Sequence, residues 1–272
     1  MTPLRIAAGG LASVLVAALA TGCANTAAPP SARQQVIDRV HHAYERTTAL
    51  PAVSAALTET VASGTSAVAQ GKGTAVWEFP HRRGETRMTV NGQTPVVALR
   101  VEDTFYEGRT RKALAGTGRD LARTGARNPT AMPQIQAPGL DPFQLTTLLG
   151  ATSWPDTLET AQPVVTSDDS GQHTEYQIGI RTARLATHAK GADRTWLTAM
   201  SRQPGGAVVT VAARLSHGRI STLSAQLPIP KPHSLAKEPK GASIAPTPRP
   251  MTVLVSAEFS YVKKPQPLAI PS

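Results

Sequence analysis

A chain of 272 residues with 40% hydrophobic residues and a single cysteine is neither a disordered tail nor a disulfide-stapled scaffold. Aromatics make up only 4%, so its core must be built from Ala, Val, Leu and Ile. The 28 Lys and Arg outnumber the 18 Asp and Glu, for a net charge of +10, which calls for an anionic counterpart.

The first 22 residues predict an export signal. Arg5 is the only charged side chain before Cys23, and residues 6 to 20 are Ala, Val, Leu, Ile, Gly and one Ser. That apolar run is too short to span a bilayer, which takes roughly 20 apolar residues. Ala20, Thr21 and Gly22 then lead into Cys23. The run LATGC resembles a bacterial lipobox, with Leu19 four residues before the cysteine rather than the usual three. The resemblance implies cleavage before Cys23 and a lipid on its sulfur. The other reading is an ordinary signal peptide with a chance cysteine. Cleavage would leave 250 residues, enough for one sizeable core. The chain is then exported and held on the outer face of the cytoplasmic membrane. There, anionic headgroups or wall polymers are the counter-charge, and nucleic acid is not a partner.

Residues 23 to 32 form a lipidated, flexible tether, and residues 33 to 272 a single domain. A helix is predicted over about 33–50, with Val36, Val40, Ala43, Tyr44 and Leu50 on one stripe and Pro51 as its stop. Strands with period-two alternation follow. Val53, Ala55, Leu57 and Val61 share a face in one, and Ala75, Trp77 and Phe79 in the next. Asn91-Gly92 predicts a two-residue hairpin, and TFYEG (104–108) a further strand. Asp141-Pro142 predicts the start of a helix ending near Gly150. TEYQIGI (174–180) alternates, and a second helix is expected within 181–200. Ser216-His217-Gly218 predicts a tight turn between two strands, and residues 251–262 close the sheet. The proline-rich stretch 228–250 is a long loop, since it cannot be a central strand. The expected fold class is α+β, with an antiparallel sheet and no βαβ rhythm.

Catalytic signatures are missing from the sequence. Ser234-Leu235-Ala236-Lys237 matches S-x-x-K by chance, without its partner motifs and within the proline-rich loop. His41 and His42 are adjacent on a helix and diverge by about 100°. Asp168-Asp169-Ser170-Gly171 reads as a turn rather than a calcium loop. No enzyme, cofactor or metal is therefore expected. The segment 108–129 carries Arg109, Arg111, Lys112, Arg119, Arg123 and Arg127 against Asp120 alone. It reads either as a membrane-facing basic surface, at roughly 1 kcal/mol per charge near anionic lipid, or as a solvated loop.

The lipobox, the leading amphipathic helix, DPFQLTTLLG, HTEYQIGI and the terminal PLAIP together resemble the LolA-like lipoprotein carriers, of the LppX/LprG type. The resemblance implies a highly curved antiparallel half-barrel wrapped around a few helices, enclosing an apolar cavity for acyl chains. It implies no catalytic residues, and 228–250 is an addition to its pattern. The lining expected from alternation is Val53, Leu57, Trp77, Leu99, Leu148, Leu149, Tyr176, Ile178, Val211 and Leu223. The function expected is binding or carriage of a lipid or lipoglycan. The alternative is an envelope sensor or protein-interaction module with a closed core. The residues name no protein partner.

Overall fold

The computed structural model describes residues 31–92, 96–108, 122–124, 143–168, 171–229 and 251–261. Cys23, the tether through residue 30, Asp141-Pro142 and the loop 230–250 lie outside the described residues.

Helix α1 (Ala32–Thr48) opens where Ser31 accepts a hydrogen bond from Gln34 N at 3.1 Å, a side-chain N-cap. Its buried stripe is Val36, Ile37, Val40, Ala43 and Thr47. Tyr44 and Leu50 are only half-buried against the core. Thr47 Oγ1 accepts from Ile220 N at 3.2 Å, and the Tyr261 hydroxyl donates to Ile220 O. The Thr47 hydroxyl, 3.3 Å from that of Tyr261, thus fastens the helix to the sheet.

The sheet comprises β1 (Val53–Ser63), β2 (Ser66–Glu78), β3 (Arg83–Val90), β4 (Val96–Val101), β5 (Thr104–Gly108), β6 (Ala122–Thr124), β7 (Leu158–Asp168), β8 (Gly171–Arg181), β9 (Val208–Ser216), β10 (Arg219–Pro228) and β11 (Met251–Ser260). The order is β6-β5-β4-β3-β2-β1-β11-β10-β9-β8-β7. Every neighbouring pair is antiparallel, as the alternation predicts. The order runs linearly from β6 to β7, so the sheet is open. β7 carries Pro163. Proline donates no hydrogen bond and is tolerated at an edge.

Local chemistry sets the bends. His217 and Gly218 both have positive φ, 51° and 71°, in the two-residue turn between Ser216 and Arg219. Asn91 and Gly92 also have positive φ, 48° and 69°, as the expected two-residue turn requires, and β3 pairs Met88 with Val96. Residues 93–95, which would complete that hairpin, lie outside the described residues. Asn91 also bonds to β2, its Oδ1 accepting from Gln70 N at 2.9 Å. At Gly73 a Cβ would lie 2.0 Å from the Arg87 carbonyl oxygen. Only glycine lets β3 approach β2 so closely there.

Helix α2 (Gln144–Leu149) has Phe143, not Asp141, at its cap position. The helix expected within 181–200 is two helices, α3 (Thr182–His188) and α4 (Gly191–Ser201). Arg194 Nε reaches back to Ala186 O (3.2 Å) and Ala189 O (2.9 Å), satisfying carbonyls that the break leaves open. The helix α1 packs on β7, β9 and β10, while Asp193 of α4 pairs with Arg100 of β4. Helices between strands so far apart in the order require a curved sheet, and the architecture is an α+β half-barrel.

Candidate functional site

The helices and the concave face of the sheet enclose one continuous apolar region. Register places Val53 of β1 beside Trp77, Trp77 beside Gly84, and Gly84 beside Arg100, which defines this face across β1 to β4. Nine of the ten expected lining residues fall in the core cluster: Val53, Leu57, Trp77, Leu148, Leu149, Tyr176, Ile178, Val211 and Leu223. Tyr176 keeps its polar end matched, since Arg39 Nη1 donates to its hydroxyl at 2.8 Å.

Leu99 is the correction. It is buried, but it pairs with Glu85 and Tyr106, on the face opposite Ala98 and Arg100. The strand VVALRV buries residues 96 to 100 on both faces, so alternation cannot decide which face points inward. Of the basic segment, only Arg123 lies in a described element, with its backbone in β6 beside Tyr106. Arg109, Arg111, Lys112, Arg119 and Arg127 lie outside the described residues.

Two ionisable groups on the concave face were not anticipated. Arg100 is fully buried and paired with a carboxylate. Its Nη1 lies 2.7 Å from Asp193 Oδ1, and its Nε donates to Glu102 O at 2.8 Å. Phe105 and Phe143 present their ring faces to the guanidinium at 5.2 and 5.3 Å. Arg82 adds a second cation to Asp193, at 3.0 Å. Burial, reinforced by the Asp193 charge and opposed by Arg82, raises the pKa of the nearby Tyr44 hydroxyl.

Glu59 is the contrasting case. It alternates inward with Val53, Ala55 and Leu57 and is 3% exposed. Its cross-strand neighbours are Val255 on β11 and Gly71 on β2. Val253, Ala257, Ala225 and Leu227 flank it on the same face. None of these can ionise or donate from a side chain. Among the described residues Oε1 of Glu59 has no hydrogen-bond partner. Burial alone pushes its carboxyl up to about 7, because the charged form is the one that loses hydration. Trp77 Nε1 and Thr86 Oγ1, also buried on this face, have no hydrogen-bond partner among the described residues. Thr86 faces inward beside Ala75.

Among the described residues no three His, Cys, Asp or Glu side chains are grouped to hold a metal. No described helix is long and apolar enough to cross a membrane. The two adjacent histidines share one partner, with His41 and His42 at 3.3 and 3.5 Å from Glu45.

The class that fold and site define is an open antiparallel half-barrel with helices against a concave apolar face. No family model and no curated protein matches the chain. Solved structures similar to it include LprF from Mycobacterium bovis, at 13% identity over 88% of this chain and 97% of that one, with a TM-score of 0.39. The lipoprotein LppX from Mycobacterium tuberculosis is similar at 10% identity over 86% and 98%, with a TM-score of 0.43. A LolA superfamily protein from Nitrosomonas europaea is similar at 7% identity over 85% and 93%, with a TM-score of 0.30.

Proposed function

We propose that the chain is an exported lipoprotein, anchored through Cys23 to the outer face of the cytoplasmic membrane, that binds an acyl-chain lipid or lipoglycan against its concave face. The observation carrying this reading is the continuous apolar region shared by β1, β2, β8 to β11 and α2, built largely from small or aliphatic side chains. Burying one methylene is worth about 0.8 kcal/mol, so ten contribute roughly 8 kcal/mol before ordering costs. Affinity of that size needs no catalytic constellation, and no enzymatic activity is proposed. The basic run from Arg109 to Arg127 supplies attraction to anionic headgroups.

Native mass spectrometry of the full chain purified from its own host membranes tests the reading. A co-purifying lipid and a diacylated Cys23 peptide are expected. Ala55→Phe and Ala213→Phe, at buried alanines of the concave face, should lower lipid uptake more than they lower the melting temperature. A ligand-free spectrum, with both variants destabilised by about 1–3 kcal/mol as in a filled core, would favour the closed-core interaction module.

A further inference from the structure

A buried carboxyl without a partner is costly, because it loses water and gains nothing in return. Glu59 is held in that condition by well-paired strands, β11 on one side and β2 on the other. The side chains around it are aliphatic or absent: Val255 and Gly71 opposite, with Val253, Ala257, Ala225 and Leu227 on the same face. The other unpartnered atoms of the face, Trp77 Nε1 and Thr86 Oγ1, lie toward its far end. Four residues separate the level of Glu59 from that of Thr86, or roughly 13 Å at about 3.3 Å per residue. Apolar surface thus lies between polar atoms at two levels, none of which has a hydrogen-bond partner among the described residues. The buried cation of the face, Arg100, is already matched by Asp193.

We propose that Glu59 is the polar anchor of the lipid site, and that the lipid it selects carries an uncharged, hydroxyl-bearing polar group rather than a phosphate. The inference rests on the lipid-binding reading above and specifies its ligand. A hydroxyl donates to Glu59 Oε1 and supplies the missing partner. An ester carbonyl accepts from Trp77 Nε1–H or the Thr86 hydroxyl. A phosphate would place like charge against an ionised Glu59 with no described cation on the neighbouring strands of that face, a strongly unfavourable pairing in a dry interior.

The test is titration of the full chain with dioleoylglycerol and with dioleoylphosphatidic acid, which share acyl chains and differ by the phosphate, at about pH 8. Wild type should favour dioleoylglycerol by about tenfold or more. Glu59→Leu should lose about tenfold toward dioleoylglycerol, the equivalent of one lost hydrogen bond, and cease to discriminate. Glu59→Gln keeps shape and hydrogen bonding, so it should hold dioleoylglycerol and admit dioleoylphosphatidic acid more readily. If wild type and both variants bind the two lipids alike, Glu59 is no anchor, while the lipid-binding reading stands. Preference of wild type for the phosphate overturns the proposed class. If wild type takes up neither lipid and co-purifies with none, the lipid-binding reading itself fails.

Discussion

Arg100 and Glu59 lie on the same concave face, and they show two ways a fold can hold an ionisable group away from water. Around Arg100 the protein supplies a counter-charge, a hydrogen-bond acceptor and aromatic faces. Asp193 provides the counter-charge, Glu102 a carbonyl, and Phe105 and Phe143 two ring faces. Around Glu59 it supplies only aliphatic groups and glycine. The first arrangement ties α4 to β4 through a buried ion pair. The second is incomplete, and a group left incomplete inside an ordered sheet is where a ligand is expected to act.

The sharpest way to break this contrast is at Asp193. Asp193→Ala leaves Arg100 buried without its counter-charge and should cost about 3–5 kcal/mol in urea unfolding. The paired replacement Asp193→Leu with Arg100→Met should recover much of that loss, since neither charge then remains buried. A loss under about 1 kcal/mol for Asp193→Ala would mean that Arg100 is hydrated and the two sites differ little.

Glu59 should show its condition through pH. Its carboxyl is raised from 4.5 to about 7 by burial, so between these values the folded chain holds a proton that the unfolded chain has released. Stability from this group is therefore greatest below about pH 4.5 and falls as pH rises, with the full penalty present above about pH 7. The gap amounts to about 3 kcal/mol. Glu59→Gln should be more stable than wild type by up to that amount at about pH 8, with the difference shrinking toward zero near pH 4.5. Parallel unfolding curves for the two proteins across that range would show that the carboxyl is solvated.

The smallest effect is expected at Thr86, whose buried hydroxyl has no partner among the described residues. Thr86→Val replaces it with a methyl group of similar shape. In lipid-free protein the melting temperature should stay level or rise, by no more than about 1 kcal/mol in stability. A clear destabilisation would reveal a partner for the hydroxyl and remove Thr86 from the set of unmatched groups.

Much of the fold was legible in the sequence because its rules are local. A stripe at helical spacing and the stop at Pro51 delimited α1, and period-two alternation marked β1, β8 and β11. Turn chemistry at His217-Gly218 marked the β9–β10 hairpin. β7 escaped because Pro163 and its polar neighbours give no alternation, and pairing with β8 alone makes it a strand. The positive φ of Asn91 and Gly92 follows from the turn residues, whereas the bond from Gln70 N to Asn91 is made only in the fold. Leu99 was assigned to the wrong face because β4 is apolar on both sides. Glu59 sat in plain view within an alternating strand, yet an acid among apolar residues carries no mark of whether a counter-charge will meet it. That depends on what other strands bring alongside: Val255 lies 196 positions away in sequence and carries no charge. Arg100 found Asp193 across 93 positions in the same manner. Local propensity and alternation determine the elements, but burial and pairing of charge are properties of surfaces that meet only when the chain is folded, so only the tertiary structure separates a matched cation from an unmatched acid.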